Sequence, residues 1–196
     1  MFRGVSRTPP TGLKKLTQIL VIGSDGDHCQ PQMYEAAKLV GDQIAARGAV
    51  LVTGGLGGVM EAASKGAKER GGLVVGIIPH EEMSYANPFC DIIVPTGLGF
   101  ARNYVTAYSA DSVIVVGGGA GTLVEACVAY QKGKSIVALT GSGGTADKIA
   151  GTYLDDRKVV KVMSAPTPRE VVDLAYDNAL NAKKGVKYFQ SVARMI

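Results

Sequence analysis

The chain has 196 residues, 46% of them apolar and 26 of them glycine. That length and composition suit one compact, turn-rich domain and exclude a disordered chain. The formal charge of +4 sits at the ends, where Arg3, Arg7, Lys14 and Lys15, then Lys183, Lys184, Lys187 and Arg194, stand without an acid among them, so that 13 basic residues face 17 acidic ones in the body between.

A nucleic-acid groove needs clustered cations on the folded body, so no nucleic-acid partner is expected. No apolar run approaches the length that crosses a bilayer, and the start MFRGVSRTPPTGLKKL has no apolar segment of a secretory signal. Cys29, Cys90 and Cys127 are odd in number and form no CxxC pair, which points to reduced thiols in a cytoplasm. We read 1–16 as a basic extension, 17–182 as the folded body and 183–196 as a basic tail.

The run Thr17–Ile22 predicts a strand that ends at Gly23-Ser24-Asp25-Gly26-Asp27. Pro31 at a first helical position, with Met33, Ala36, Ala37, Val40 and Ile44 behind it, predicts a helix that Gly48 ends. Asp25, Asp27, His28 and Cys29 match no metal-ligand spacing, and an aspartate in such a turn is expected to cap a helix. No metal is expected. Ala49–Val52 predicts a second strand running into Thr53-Gly54-Gly55-Leu56-Gly57-Gly58, followed by a helix over Val59–Arg70 with Glu61–Lys65 and Lys65–Glu69 as surface pairs. Leu73–Ile78 is a third strand, His80–Pro88 an irregular polar loop and Asp91–Val94 a fourth strand. A helix over about Phe100–Ser109 places Arg102 near its start, just after a glycine pair.

Val113–Val116 is a fifth strand, meeting Gly117-Gly118-Gly119-Ala120-Gly121-Thr122 and then a helix with Leu123, Val124, Ala126, Cys127 and Ala129 as apolar members. Glycines let the backbone approach a ligand closely, and a helix start offers N–H groups and a positive dipole end to an anion. Glu125 is the one acid in this apolar stretch, and Cys127 is expected in the core. The run lacks the GxGxxG spacing, and no lysine follows its last glycine, so neither a simple dehydrogenase nor a P-loop ATPase is indicated. Ser135–Leu139 is a sixth strand, Ala146–Tyr153 a short helical segment and Val159–Met163 a seventh strand. Thr167-Pro168-Arg169-Glu170 is a capping box that opens a last helix. Strands alternating with helices predict a doubly wound α/β domain with a mostly parallel sheet. Its glycine turns follow strands, so they converge on one sheet edge, where such folds bind ligands.

Thr53-Gly54-Gly55-x-Gly57-Gly58, Gly99-x-x-Arg102 and Gly118-Gly119-x-Gly121-Thr122-x-x-Glu125 resemble the LOG family, long mislabelled as lysine decarboxylases. The segment Thr96–Asn103 is more similar to a sister group, the molybdenum-cofactor carrier proteins. The likeness covers about Gln18–Asp177. It implies a Rossmann-like nucleotide-binding domain and homo-oligomers, dimers or tetramers. The LOG resemblance implies hydrolysis of the N-glycosidic bond of a nucleoside 5′-monophosphate, with Arg102 and Glu125 in the catalytic roles. The turns with Gly23, Ser24, Gly54, Gly55, Gly57, Gly58, Gly118, Gly119, Gly121 and Thr122 would hold the phosphate. The carrier resemblance implies binding of a pterin, molybdopterin, without turnover. Neither requires a further cofactor. Two positions depart from the LOG pattern: Gly117 stands for its proline, and Asn103 for the lysine of its Arg-Lys pair.

Overall fold

The computed structural model describes residues 16–185, with side chains through 181. The basic ends therefore lie, but for residues 16 and 183–185, outside the described residues.

Seven strands form one sheet: β1 (Gln18–Gly23), β2 (Val50–Thr53), β3 (Val74–Ile78), β4 (Ile92–Pro95), β5 (Ser112–Val116), β6 (Ser135–Leu139) and β7 (Met163–Ala165). Their order is β4-β3-β2-β1-β5-β6-β7, and every pairing is parallel. A parallel sheet covered on both faces needs apolar side chains on both. The strands comply by period two: Ile19 and Val21 join one core and Leu20 and Ile22 the other, as Ile114 and Val116 oppose Val113 and Val115. Each such side chain contributes about 1.5–3 kcal/mol on burial.

The first core lies under α1 (Pro31–Ala46), α2 (Val59–Glu69) and α6 (Pro168–Gly185), the second under α3 (Arg102–Tyr108), α4 (Ala120–Gln131) and α5 (Gly144–Ile149). Pro31 opens α1, and Gly48 turns the chain after it at φ 65°. Thr167 and Glu170 pair at the start of α6, where the Glu170 N–H donates to Thr167 Oγ1 at 3.3 Å and that hydroxyl, in place of the backbone N–H of a full capping box, donates to the Glu170 carboxylate at 2.7 Å.

Several expectations shift. The apolar stretch from Val159 packs against the second core, with Val162 buried and Val159 and Val160 half-buried, without joining the sheet. Val159 N–H donates to the Tyr130 hydroxyl at 2.9 Å and Val162 N–H to Thr152 O at 2.8 Å, so the strand begins only at Met163. Gly151 at φ 71° ends α5 before Tyr153. The expected pairs along α2 give way to ties to α1: Lys38 pairs with Glu69 at 2.8 Å, and the Tyr34 hydroxyl donates to Glu61 at 3.2 Å. Cys127 is half-buried, outside both cores.

Candidate functional site

The strand order reverses direction between β1 and β5, and ligands of such sheets bind beyond the carboxyl ends at that point. The register sets Gly23 beside Val116, so the turns after β1 and β5 lie side by side. A side chain at Gly23 would strike the Val116 carbonyl. Between the turns opens a cleft of about 620 Å³.

Its walls come from five strand ends. Gly23 ends β1 and Ser24 follows it, Gly54 follows β2, Phe100, Arg102 and Asn103 follow β4, Gly118, Gly119, Gly121 and Thr122 follow β5, and Gly144 follows β6; all border the cleft. The remaining glycines of the β2 turn do not. Gly55 packs its Cα toward Gly76 and Ile78, Gly57 lies by Gly26, and Gly58, at φ 70°, lies against the Asp25 carbonyl. Gly55 and Gly58 let the chain pass close between neighbours, whereas a Cβ at Gly57 would meet only ordinary contacts.

Two side-chain bonds clamp the β1 turn to the β5 turn. The Gly118 N–H donates to Ser24 Oγ at 2.9 Å, and the Thr122 hydroxyl donates to Gly23 O at 3.0 Å. The single Thr122 hydroxyl hydrogen is thereby committed, whereas Ser24 keeps its own for a ligand. The N–H groups of Ala120, Gly121 and Thr122, in the first turn of α4, have no partner within the helix. Gly119 caps it with extended backbone, and a Cβ there would meet nothing within 4 Å. The cleft therefore offers an open, donor-rich end suited to an anion.

The other end is charged and buried. Arg102 opens α3, and Glu125 lies on α4; both are buried. Arg102 Nη1 lies 3.6 Å from Glu125 Oε1, to which the Thr106 hydroxyl, one turn further along α3, also donates at 2.8 Å. Gly54 makes room for the guanidinium: a Cβ there would stand 2.5 Å from Nη1. Burial raises the Glu125 carboxyl to about 7, against the opposing pull of the Thr106 bond and Arg102. Arg102 Nε is buried without a hydrogen-bond partner. A guanidinium with a vacant donor beside a carboxyl that titrates near neutrality can orient an oxygen and take its proton.

Asn103, at the position of the LOG lysine, is buried beside the cleft, with Nδ2 3.5 Å from Gly121 O. It thus braces the β5 turn without adding charge. Asp25 does not cap α1. Its Oδ1 accepts both the His28 N–H at 3.1 Å and His28 Nδ1 at 2.7 Å, and α1 starts without a side-chain cap.

The sequence reading passed over Phe100, His28, Leu56 and Met60 as cleft walls. Phe100 is 91% exposed, a costly position for so apolar a ring. Its place between Gly99 and Arg102 was the available signal. His28 was weighed for metal only. Among the described residues no cluster of acids, histidines and cysteines is arranged to hold a metal ion.

A family model, the SLOG cluster4 family, matches residues 16–174. A cytokinin riboside 5′-monophosphate phosphoribohydrolase of Mycobacterium marinum is 40% identical over 121 residues, which is 56% of this chain and 63% of that protein. More than a third of that relative therefore lies outside the match. Among solved structures, the molybdenum cofactor binding protein of Rippkaea orientalis superposes with a TM-score of 0.74 at 32% identity, over 83% of this chain and 97% of that one. The molybdenum cofactor carrier protein of Chlamydomonas reinhardtii does so with a TM-score of 0.73 at 30% identity, over 85% and 99%. With a match that spans nearly the whole described body, and with the glycine turns, Arg102 and Glu125 gathered at one sheet edge, the chain belongs to the SLOG cluster4 family.

Proposed function

We propose that this protein binds a purine nucleoside 5′-monophosphate and hydrolyses its N-glycosidic bond. The observation that carries the reading is the buried pair at the cleft floor: Glu125, raised to about 7, beside Arg102 with its unpartnered Nε. Glycoside cleavage passes through an oxocarbenium-like state that a carboxylate stabilises while it activates water. Arg102 holds a ribose oxygen or the attacking water by its guanidinium and supplies fixed positive charge. The amides at the start of α4 and the Ser24 hydroxyl hold the phosphate, and Phe100 gives the flat base a ring to stack on. The similarity to the Mycobacterium marinum enzyme, a phosphoribohydrolase, supports the same reaction class.

A second reading, a carrier that holds molybdopterin without turnover, is favoured by one residue and by the structural relatives. Asn103 leaves the site one cation poorer than the LOG pattern, and the two carrier structures cover more of this chain than the phosphoribohydrolase match does. The same donor-rich turns serve either ligand.

Incubation of the purified protein with AMP, beside a Glu125→Ala control, separates the two. Release of adenine that vanishes in the control supports hydrolysis. Retention of AMP without release points to a carrier. Both readings include a cytoplasmic setting, in keeping with Cys29, Cys90 and Cys127, which are free thiols. Both also include a second copy of the chain, seated on the apolar outer surface of α3 and α4.

A further inference from the structure

Four titratable side chains border the cleft: Asp25, His28, Arg102 and Glu125. Hydrolysis of a nucleoside monophosphate makes two proton demands at once. Water must lose a proton as its oxygen bonds to C1′. The base must gain one as the bond from C1′ to its ring nitrogen breaks and the electron pair stays with the base. Glu125 answers the first demand. Arg102 cannot answer the second, because a guanidinium does not give up its proton at ordinary pH. The Asp25 carboxylate is engaged twice by His28.

We infer that His28 is the proton donor to the departing base, and that Asp25 is its positioning residue. The inference rests on the hydrolase reading above. Its geometry is that of an imidazole turned by its neighbour. Asp25 Oδ1 receives both the backbone N–H and the ring Nδ1 of His28, an exposed contact that directs the ring and leaves Nε2 as its open nitrogen. His28 stands on the segment between β1 and α1, on the same cleft as Glu125, with its side chain 78% exposed. Asp25, by its hydrogen bond and then its charge, and Asp27 by its charge, raise the imidazole above its ordinary value, so more of it is protonated at neutral pH. The step balances. The C1′–N bond breaks, the base takes the proton of His28 Nε2, the water oxygen bonds to C1′, and the water proton passes to Glu125. Solvent then returns a proton to His28 and removes one from Glu125. The assignment also gives the substrate class: a base whose ring nitrogens accept a proton as it leaves, which a purine does.

The test compares two substrates that differ in their need for that proton. GMP must have its base protonated. In 7-methylguanosine 5′-monophosphate the ring already carries the positive charge, and the base leaves without help. His28→Gln is expected to lose about 10²-fold or more in kcat with GMP, and at least tenfold less than that with the methylated substrate. Asp25→Asn should show the same bias in smaller measure. Equal losses on both substrates would overturn the proton-donor role in favour of simple binding, and so would no loss on either. Failure of the unaltered protein to release base from either substrate would overturn the hydrolase reading itself. That result is distinct, because it appears before any substitution is made.

Discussion

Glu125 carries the clearest pH signature among the described residues. Its ordinary value is 4.5, and burial raises it to about 7. Between those values the folded chain keeps a proton that the unfolded chain has released. The folded state then binds more protons, so stability falls as pH rises across this window. The group costs nothing below the lower value and its full penalty, up to roughly 3 kcal/mol, above the upper one. Glu125→Gln removes the titration and keeps the shape. Relative to that variant, the wild type should lose thermal stability between pH 5 and pH 8. Two melting curves that shift in parallel over this range would show that the carboxyl does not titrate there. Two glycines allow equally direct tests. Gly119 has an ordinary φ of −109° and open space where a Cβ would go. Gly119→Val should therefore fold with little change in melting temperature and lose the thermal shift that AMP gives. Intact AMP binding by the folded variant would relieve the β5 turn of its ligand role. Gly54→Ala instead displaces the Arg102 guanidinium, so it should retain AMP binding at the α4 amides but lose base release.

Among the elements, α1 and α2 meet through glycine. A Cβ on Gly41 would strike the Ala63 carbonyl, and one on Gly66 would strike the Lys38 carbonyl. Each glycine sits in a helix interior, where it costs roughly 1 kcal/mol against alanine by propensity. Close approach of the two backbones outweighs that cost. Gly66→Ala should therefore destabilise the protein by about 1–3 kcal/mol, because the helices must part. Urea unfolding measures this, and a stabilised variant would show that propensity wins. The same contact shows where sequence reading stops. Strands β1 and β5 were legible, since both-sided burial writes an unbroken apolar run. Helix α6 was legible from the capping-box spacing of Thr167 and Glu170. The run from Val159 misled, because burial alone does not distinguish a strand from a loop packed on Tyr130. Gly41 and Gly66 carried no local signal at all. Their purpose lies in the partner helix, and a periodicity argument sees only one helix at a time.

At the scale of the whole molecule, the gathering of the candidate site's residues was legible where topology dictated it. Parallel strands force their following turns to one edge, so Gly23, Gly54, Gly119, Arg102 and Glu125 had to converge once the strands were placed. What topology leaves open is which groups are already spent. The bond from Thr122 to Gly23 and the pairing of His28 with Asp25 depend on side-chain directions that no spacing encodes. A further consequence concerns the outer surface beside the cleft. Across α3 and α4 the charged side chains are Arg102 and Glu125, and both point inward. Tyr104, Tyr108, Leu123 and Val124 face out, as Phe100 does, with the Lys132 ammonium 4.8 Å from the Tyr108 ring centre. A helix apolar on its outer as well as its inner side is ordinarily covered. A second copy of the chain is expected to cover it, so the protein should sediment at a multiple of its 20.4 kDa chain mass. Paired Tyr104→Glu and Val124→Lys substitutions place charge on that face without touching either core, and should yield a folded monomer. A wild-type chain that sediments at its own mass would remove the second copy and leave Phe100 to the ligand alone.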